Sequence, residues 1–140
     1  MRRRMVDRRL LLSIAAAIVA LATGVLAVVI SQPALGVIAG SCVRFDVDQT
    51  LGLKVPHMGW NQIEMRSPSP LFRDLPDRAN VYFVHGYHVV PKDESVIATT
   101  TAYGRPFVSS ICKDNILATQ FHPEKSQKVG LKILANFAAM

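Results

Sequence analysis

His122 and Glu124 stand two residues apart in "ATQFHPEKSQ", with Pro123 between them. In an extended segment, residues i and i+2 face the same side. A carboxylate held beside an imidazole can fix the ring's tautomer and leave its second nitrogen to take a proton from a nucleophile. On spacing alone such a pair has a commoner meaning: a surface histidine and a solvated glutamate beside a helix start, where negative charge is favourable anyway. If the pair is a base and its orienter, a nucleophile must come from elsewhere. The only thiols are Cys42 and Cys112, and neither belongs to a C-x-x-C pair. Two cysteines make no disulfide framework, and small half-buried thiols are their simplest reading.

Other chemistries find little footing. His85 and His88 are three apart on what reads as a strand, so they are expected to point to opposite faces. No Cys or His pair has zinc-finger spacing, and the H-x-E of His122 and Glu124 is not followed by the P-C-x-x-C that a zinc deaminase needs. No metal site is expected. Neither G-x-x-x-x-G-K-[ST] nor G-x-G-x-x-G occurs, which leaves nucleotide phosphate binding without support. No cofactor is expected. Basic and aromatic residues do not interleave as they do in single-strand binders, so no nucleic-acid partner is expected either.

These residues must be positioned by the elements around them. "LGVIAGSCVRF" reads as two short strands about a Gly-Ser turn, and "VPHMGWNQIEM" as a loop leading into a strand. "RSPSPLFRDLPDRA" holds three of the eight prolines and reads as a surface connection with one helical turn. "NVYFVHGYHVV" is the strongest strand: Val81, Phe83 and His85 alternate with Tyr82, Val84 and Gly86. "SVIATTTAY" and "RPFVSSICK" are β-branched strands, and "KDN" turns tightly into "ILATQF". This is a run of antiparallel strands with short connections. A terminal helix follows, with Ser126 as N-cap and a core-facing stripe of Val129, Ile133, Leu134 and Phe137.

The N-terminus is of another kind. Leu10 to Ile30 is 21 residues without a charge, preceded by five arginines and one aspartate. As a helix it would be about 30 Å long, enough to cross a bilayer core with a cytoplasmic N-terminus. Residues 1–34 carry +4 of the formal +6, so the basic balance belongs to this flank and not to a nucleic-acid surface. The expected organisation is an Arg-flanked apolar helix over residues 1–34 and a globular part over residues 35–140.

Four motifs of that globular part occur in a telling order: "VPHMGWN", "YFVHGYHV", "QFHPEKSQ" and "GLKILANF". Together they resemble the C-terminal half of the glutaminase subunit of imidazole glycerol phosphate synthase, a class I, triad-type glutamine amidotransferase of histidine biosynthesis. The resemblance runs from about Leu35 to the C-terminus. It implies an α/β fold of which mostly antiparallel strands and the terminal helix are present. It implies that His122 and Glu124 are the base and orienter of a Cys-His-Glu triad. It implies that Gly86 and Tyr87 lie where the backbone holds glutamine, although the family more often has Ser or Thr at Gly86. It implies that Trp60, Asn61, Tyr82 and Lys125 face a cyclase (β/α)8 barrel that receives ammonia.

The departures matter equally. The family's nucleophilic cysteine lies in a G-x-C-x-G turn upstream of every matched motif, and no such turn occurs in the 140 residues. The glycine-rich oxyanion loop is absent too. The expected protein is therefore a partial glutaminase subunit, inactive alone, whose arginine-flanked leader suggests a truncated or frame-disrupted product. Its location is cytoplasmic by family, or membrane-anchored if residues 10–30 span. The alternative function is a membrane-anchored, non-catalytic binding protein that keeps the barrel-docking surface.

Overall fold

The computed structural model describes residues 36–47, 50 and 52–140. The helix expected over Leu10–Ile30 lies outside these residues. Among them, no helix is long and apolar enough to cross a membrane. Residues Ile38–Met140 make one compact unit.

Among the described residues eight strands follow in order: β1 Gly40–Arg44, β2 His57–Gln62, β3 Glu64–Met65, β4 Asn80–His85, β5 Tyr87–Pro91, β6 Ile97–Tyr103, β7 Arg105–Lys113 and β8 Ile116–Thr119. Among the described residues a single α-helix, α1 Gln127–Ala138, follows them. The strands pair as β1–β5, β2–β4 and β3–β6–β7–β8, every ladder antiparallel. The β6–β7 hairpin turns at Gly104, whose φ of 74° suits glycine.

The strand alternation of "NVYFVH" reads directly into packing. Val81, Phe83 and His85 point into the core, while Tyr82 and Val84 are half-buried on the other face. Phe83 and Ile63 have no exposed surface. Phe107 from β7, Phe121 after β8, Ile133 from α1 and Phe45 after β1 complete the core around them. Burying side chains of this size stabilises by roughly 1.5–3 kcal/mol each.

Four local expectations are corrected. "LGVIAGSCVRF" yields the single strand β1 rather than two strands about a Gly-Ser turn. "NVYFVHGYHVV" is two strands, because the chain breaks at Gly86 and β5 leaves to pair with β1. The break resets the alternation, so His85 and His88 are both buried instead of facing opposite sides. The helix stripe is also narrower than expected. Asn136 Nδ2 donates to the carbonyls of Leu71 and Arg73 at 2.9 and 2.8 Å, and Gly130 and Ile133 are buried. The contact face is thus centred on Val129, Gly130, Ile133 and Asn136. That rotation leaves Leu134 42% and Phe137 40% exposed.

Candidate functional site

His122 follows β8, where the chain passes beside β4 at Tyr82. Its N–H donates to the Tyr82 carbonyl at 2.9 Å. Its Nδ1 lies 2.8 Å from Glu124 Oε1. A carboxylate can only accept, so the Nδ1 proton is held there and Nε2 carries the lone pair a base needs. Both side chains reach solvent, at 36% and 59% exposure, so the contact orients the ring more than it stabilises the fold. The i, i+2 spacing works because Pro123 begins a 3-10 turn, Pro123–Lys125, that curls the glutamate back under the ring.

Ser126 is the N-cap residue of α1, yet its hydroxyl makes no cap bond to the helix. Instead, Ser126 Oγ donates to the His122 carbonyl at 2.7 Å and accepts from the Tyr82 N–H at 3.0 Å. With the His122 N–H to Tyr82 bond, this closes a ring of contacts that ties the His122 backbone to β4. The packing beneath explains Gly130, which costs the helix about 1 kcal/mol relative to alanine. A Cβ there would run into the Pro123 carbonyl. The helix backbone thus sits directly against the turn that carries His122 and Glu124.

The turn at Gly86 and Tyr87 is held from the core side. His85 Nδ1 lies 2.9 Å from the Tyr87 carbonyl, and His85 Nε2 lies 3.2 Å from His57 Nδ1. His57 and His85 are directly paired across the β2–β4 ladder. His57 is sandwiched between Tyr103 and Phe83, with ring centroids 3.9 and 4.8 Å away. Phe45 meets both imidazoles edge-on. Burial is the main force pushing both rings down to about 4, the charge of the other histidines adding to it. For His85 the bond to the Tyr87 carbonyl works in the opposite direction, and His122 is among the repelling charges. A Cβ at Gly86 would rest 3.6 Å from Val55, an ordinary contact, so a serine fits there.

Three of the four residues expected to face a partner come together. Trp60 pairs with Tyr82 across the β2–β4 ladder, the rings edge-to-face at 5.8 Å. Lys125 Nζ lies 6.0 Å from the centre of the Tyr82 ring. Trp60 is 48% exposed and Met58 beside it 61%. Asn61 belongs to the other face of β2. Its amide nitrogen donates to the Ala102 carbonyl at 2.9 Å and its amide oxygen accepts from the Gln62 N–H at 2.8 Å. Sequence reasoning missed Ser126, His57 and His85 as parts of the site. The signal was a buried polar type at positions whose alternation called for apolar side chains.

Both thiols are free and half-buried. Cys42 is in β1 opposite Val89, and Cys112 in β7 opposite Leu117. Among the described residues neither makes a hydrogen bond to His122, and burial pushes the Cys42 thiol up, away from the thiolate form that attacks. Among the described residues no group of His, Cys, Asp and Glu has the geometry to hold a metal ion.

The described residues thus set a His-Glu pair between the last antiparallel strand and the terminal helix. The family profile for glutamine amidotransferase class-I matches residues 12–140, and the chain belongs to that family. Among its relatives are the imidazole glycerol phosphate synthase subunits HisH of Syntrophotalea carbinolica and Geobacter sulfurreducens. Each is 57% identical over 109 residues, which cover 76% of this chain and 53% and 52% of the relative. HisH of Aquifex aeolicus is 52% identical over 103 residues, 74% of this chain and 48% of the relative. The chain spans about half the length of the curated relatives it matches. The fold is also that of a Thermoplasma acidophilum protein, solved by crystallography and described as one subunit of a GMP synthase. That likeness has a TM-score of 0.56 and 24% identity, covering 71% of this chain and 47% of the other.

Proposed function

We propose that these residues are the C-terminal half of a glutaminase subunit of imidazole glycerol phosphate synthase, with glutamine as the substrate and a cyclase barrel as the partner that takes the ammonia. His122 is the base and Glu124 its orienter. Gly86 and Tyr87 hold glutamine through their backbone. Trp60, Tyr82 and Lys125 form the docking face, with Asn61 behind it. The observation that carries this reading is the 2.8 Å contact from His122 Nδ1 to Glu124 Oε1. A base and an orienter act only through a nucleophile, and the 140 residues hold no G-x-C-x-G turn. The chain alone is therefore a docking and base-bearing unit without turnover. The reading carries a cytoplasmic location with it.

Co-purification of the tagged chain with a HisF-type cyclase barrel tests the proposal. The parent should retain the barrel, and Trp60→Ala and Lys125→Glu should release it. Failure of the parent to retain it would overturn the docking reading. The 21-residue apolar run keeps a membrane-anchored binding protein as the second reading. Alkaline washing separates the two, since a spanning anchor stays in the pellet.

A further inference from the structure

We propose that Asn61, His57 and His85 form a positioning relay, a one-way chain of hydrogen bonds by which β2 holds the Tyr87 carbonyl and with it the Gly86–Tyr87 turn. The value of that turn as a glutamine seat rests on the proposed function; the relay itself rests on geometry. Asn61 has no freedom to flip. Its oxygen accepts from the Gln62 N–H and its nitrogen donates to the Ala102 carbonyl. The second hydrogen of that nitrogen is aimed at His57 Nε2, 3.4 Å away, so Nε2 must carry a lone pair. The His57 proton then sits on Nδ1 and donates to His85 Nε2 at 3.2 Å. That leaves the His85 proton on Nδ1, where it donates to the Tyr87 carbonyl at 2.9 Å.

Worked from the other end, the result is the same. A carbonyl can only accept, so His85 Nδ1 carries the proton and Nε2 accepts from His57. Both ends dictate one pair of tautomers. A proton added to His57 would turn Nε2–H against the Asn61 amide hydrogens. One added to His85 would turn Nε2–H against the His57 donor. The rings cannot rotate away, because His57 is stacked between Tyr103 and Phe83 and Phe45 blocks both edges.

A pair of valines would fill these positions in the ladder without any polar group to satisfy. What the histidines add is a bond to the backbone just past the end of β4, where the ladder has stopped. Among the described residues, the Gly86 carbonyl accepts from the Phe45 N–H, so the two carbonyls of the turn are held from two sides, by β1's end and by the relay. Asn61, one residue from Trp60, is the far end of that hold. This is a positioning role: none of the three side chains is placed to touch the reacting atoms.

The test uses the 140-residue chain with 15N-labelled imidazoles. Long-range 1H–15N spectra at pH 7.5 should show both His57 and His85 as the neutral Nδ1–H tautomer, the form that free histidine disfavours. An Nε2–H neutral ring at either position overturns the relay, without need of any variant. His57→Phe keeps the ring stack and cuts the chain. It should speed amide exchange at Tyr87 and His88 by roughly tenfold relative to Phe83, the size of one lost buried hydrogen bond. Unchanged exchange in a folded variant overturns the proposal; if that variant does not fold, Asn61→Leu is read the same way. Millimolar L-glutamine then separates the two layers. Shifts at Gly86 and Tyr87 that weaken roughly fivefold in His57→Phe support positioning of the seat. Equal affinity in both proteins overturns it. A parent turn that ignores glutamine while both tautomers stand removes the glutamine reading of the turn and leaves the relay intact.

Discussion

Acidification should unfold this chain well above the range where carboxylates titrate, and the buried histidines set the size of the effect. His57 and His85 are 3% and 4% exposed, and their rings are pushed from 6.5 down to about 4. A histidine depressed in the folded state stabilises fully above its unfolded value of about 6.5. That stability is lost as pH falls toward 4, because the unfolded chain takes up protons the folded one refuses. At 1.36 kcal/mol per unit, the whole window is worth about 3 kcal/mol for each ring. At pH 5 about 2 kcal/mol per ring is already gone, so the pair costs about 4 kcal/mol against a typical total of roughly 5–15. His88 is depressed by burial in the same direction, with Arg105 facing it, and adds to the slope. Asp93 is fully exposed, and its carboxyl, held down by its bonds to Ser95, titrates below this window. The assay is urea unfolding by far-UV circular dichroism between pH 5 and pH 8. The midpoint should fall by about 2 M, given a slope of roughly 2 kcal/mol per molar for a domain of this size. His57→Phe should flatten the dependence. A midpoint that stays constant from pH 7.5 to pH 5 would refute the reasoning, since it would mean that water or a counter-ion reaches the rings.

Five further outcomes follow from the same geometry. Ammonia release from glutamine should stay at background for the chain alone and with a barrel partner; activity above background that His122→Ala abolishes would reveal a nucleophile, with Cys42 the first to replace. Gly130→Ala should destabilise by about 1–3 kcal/mol in urea despite alanine's better helix propensity, because its methyl group meets the Pro123 carbonyl. The same variant should broaden the His122 ring signals, since the turn beneath them must move. Gly86→Ser should leave the urea midpoint within about 0.5 kcal/mol of the parent, as an ordinary contact with Val55 is all it adds. Cys42 should react with iodoacetamide at pH 7.5 more slowly than a free thiol, because burial raises its pKa and starves the thiolate.

What the residues alone determined is what depends on near neighbours. The His122–Glu124 contact follows from two-residue spacing and a proline that sets the turn between them. Strand β4 follows from alternation that the segment carries within itself, in Val81, Phe83 and His85. Family membership was legible from four motifs in order, since motif order survives without any knowledge of contacts. The rest required pairings between distant segments. Register, which no single strand encodes, sets Trp60 beside Tyr82 and His57 beside His85. Asn61 turns inward because a strand gives adjacent residues opposite faces, so a solvent-facing Trp60 commits its neighbour to the core side. His88 is buried because β5 leaves β4 at Gly86 to join β1, a choice made by long-range pairing and invisible to local alternation. Ser126 reads as a helix cap by position, yet its hydroxyl serves β4, since that strand's N–H lies closer in space than the helix's own. The His122–Glu124 pairing is thus local, while everything that holds it in place is decided by tertiary packing.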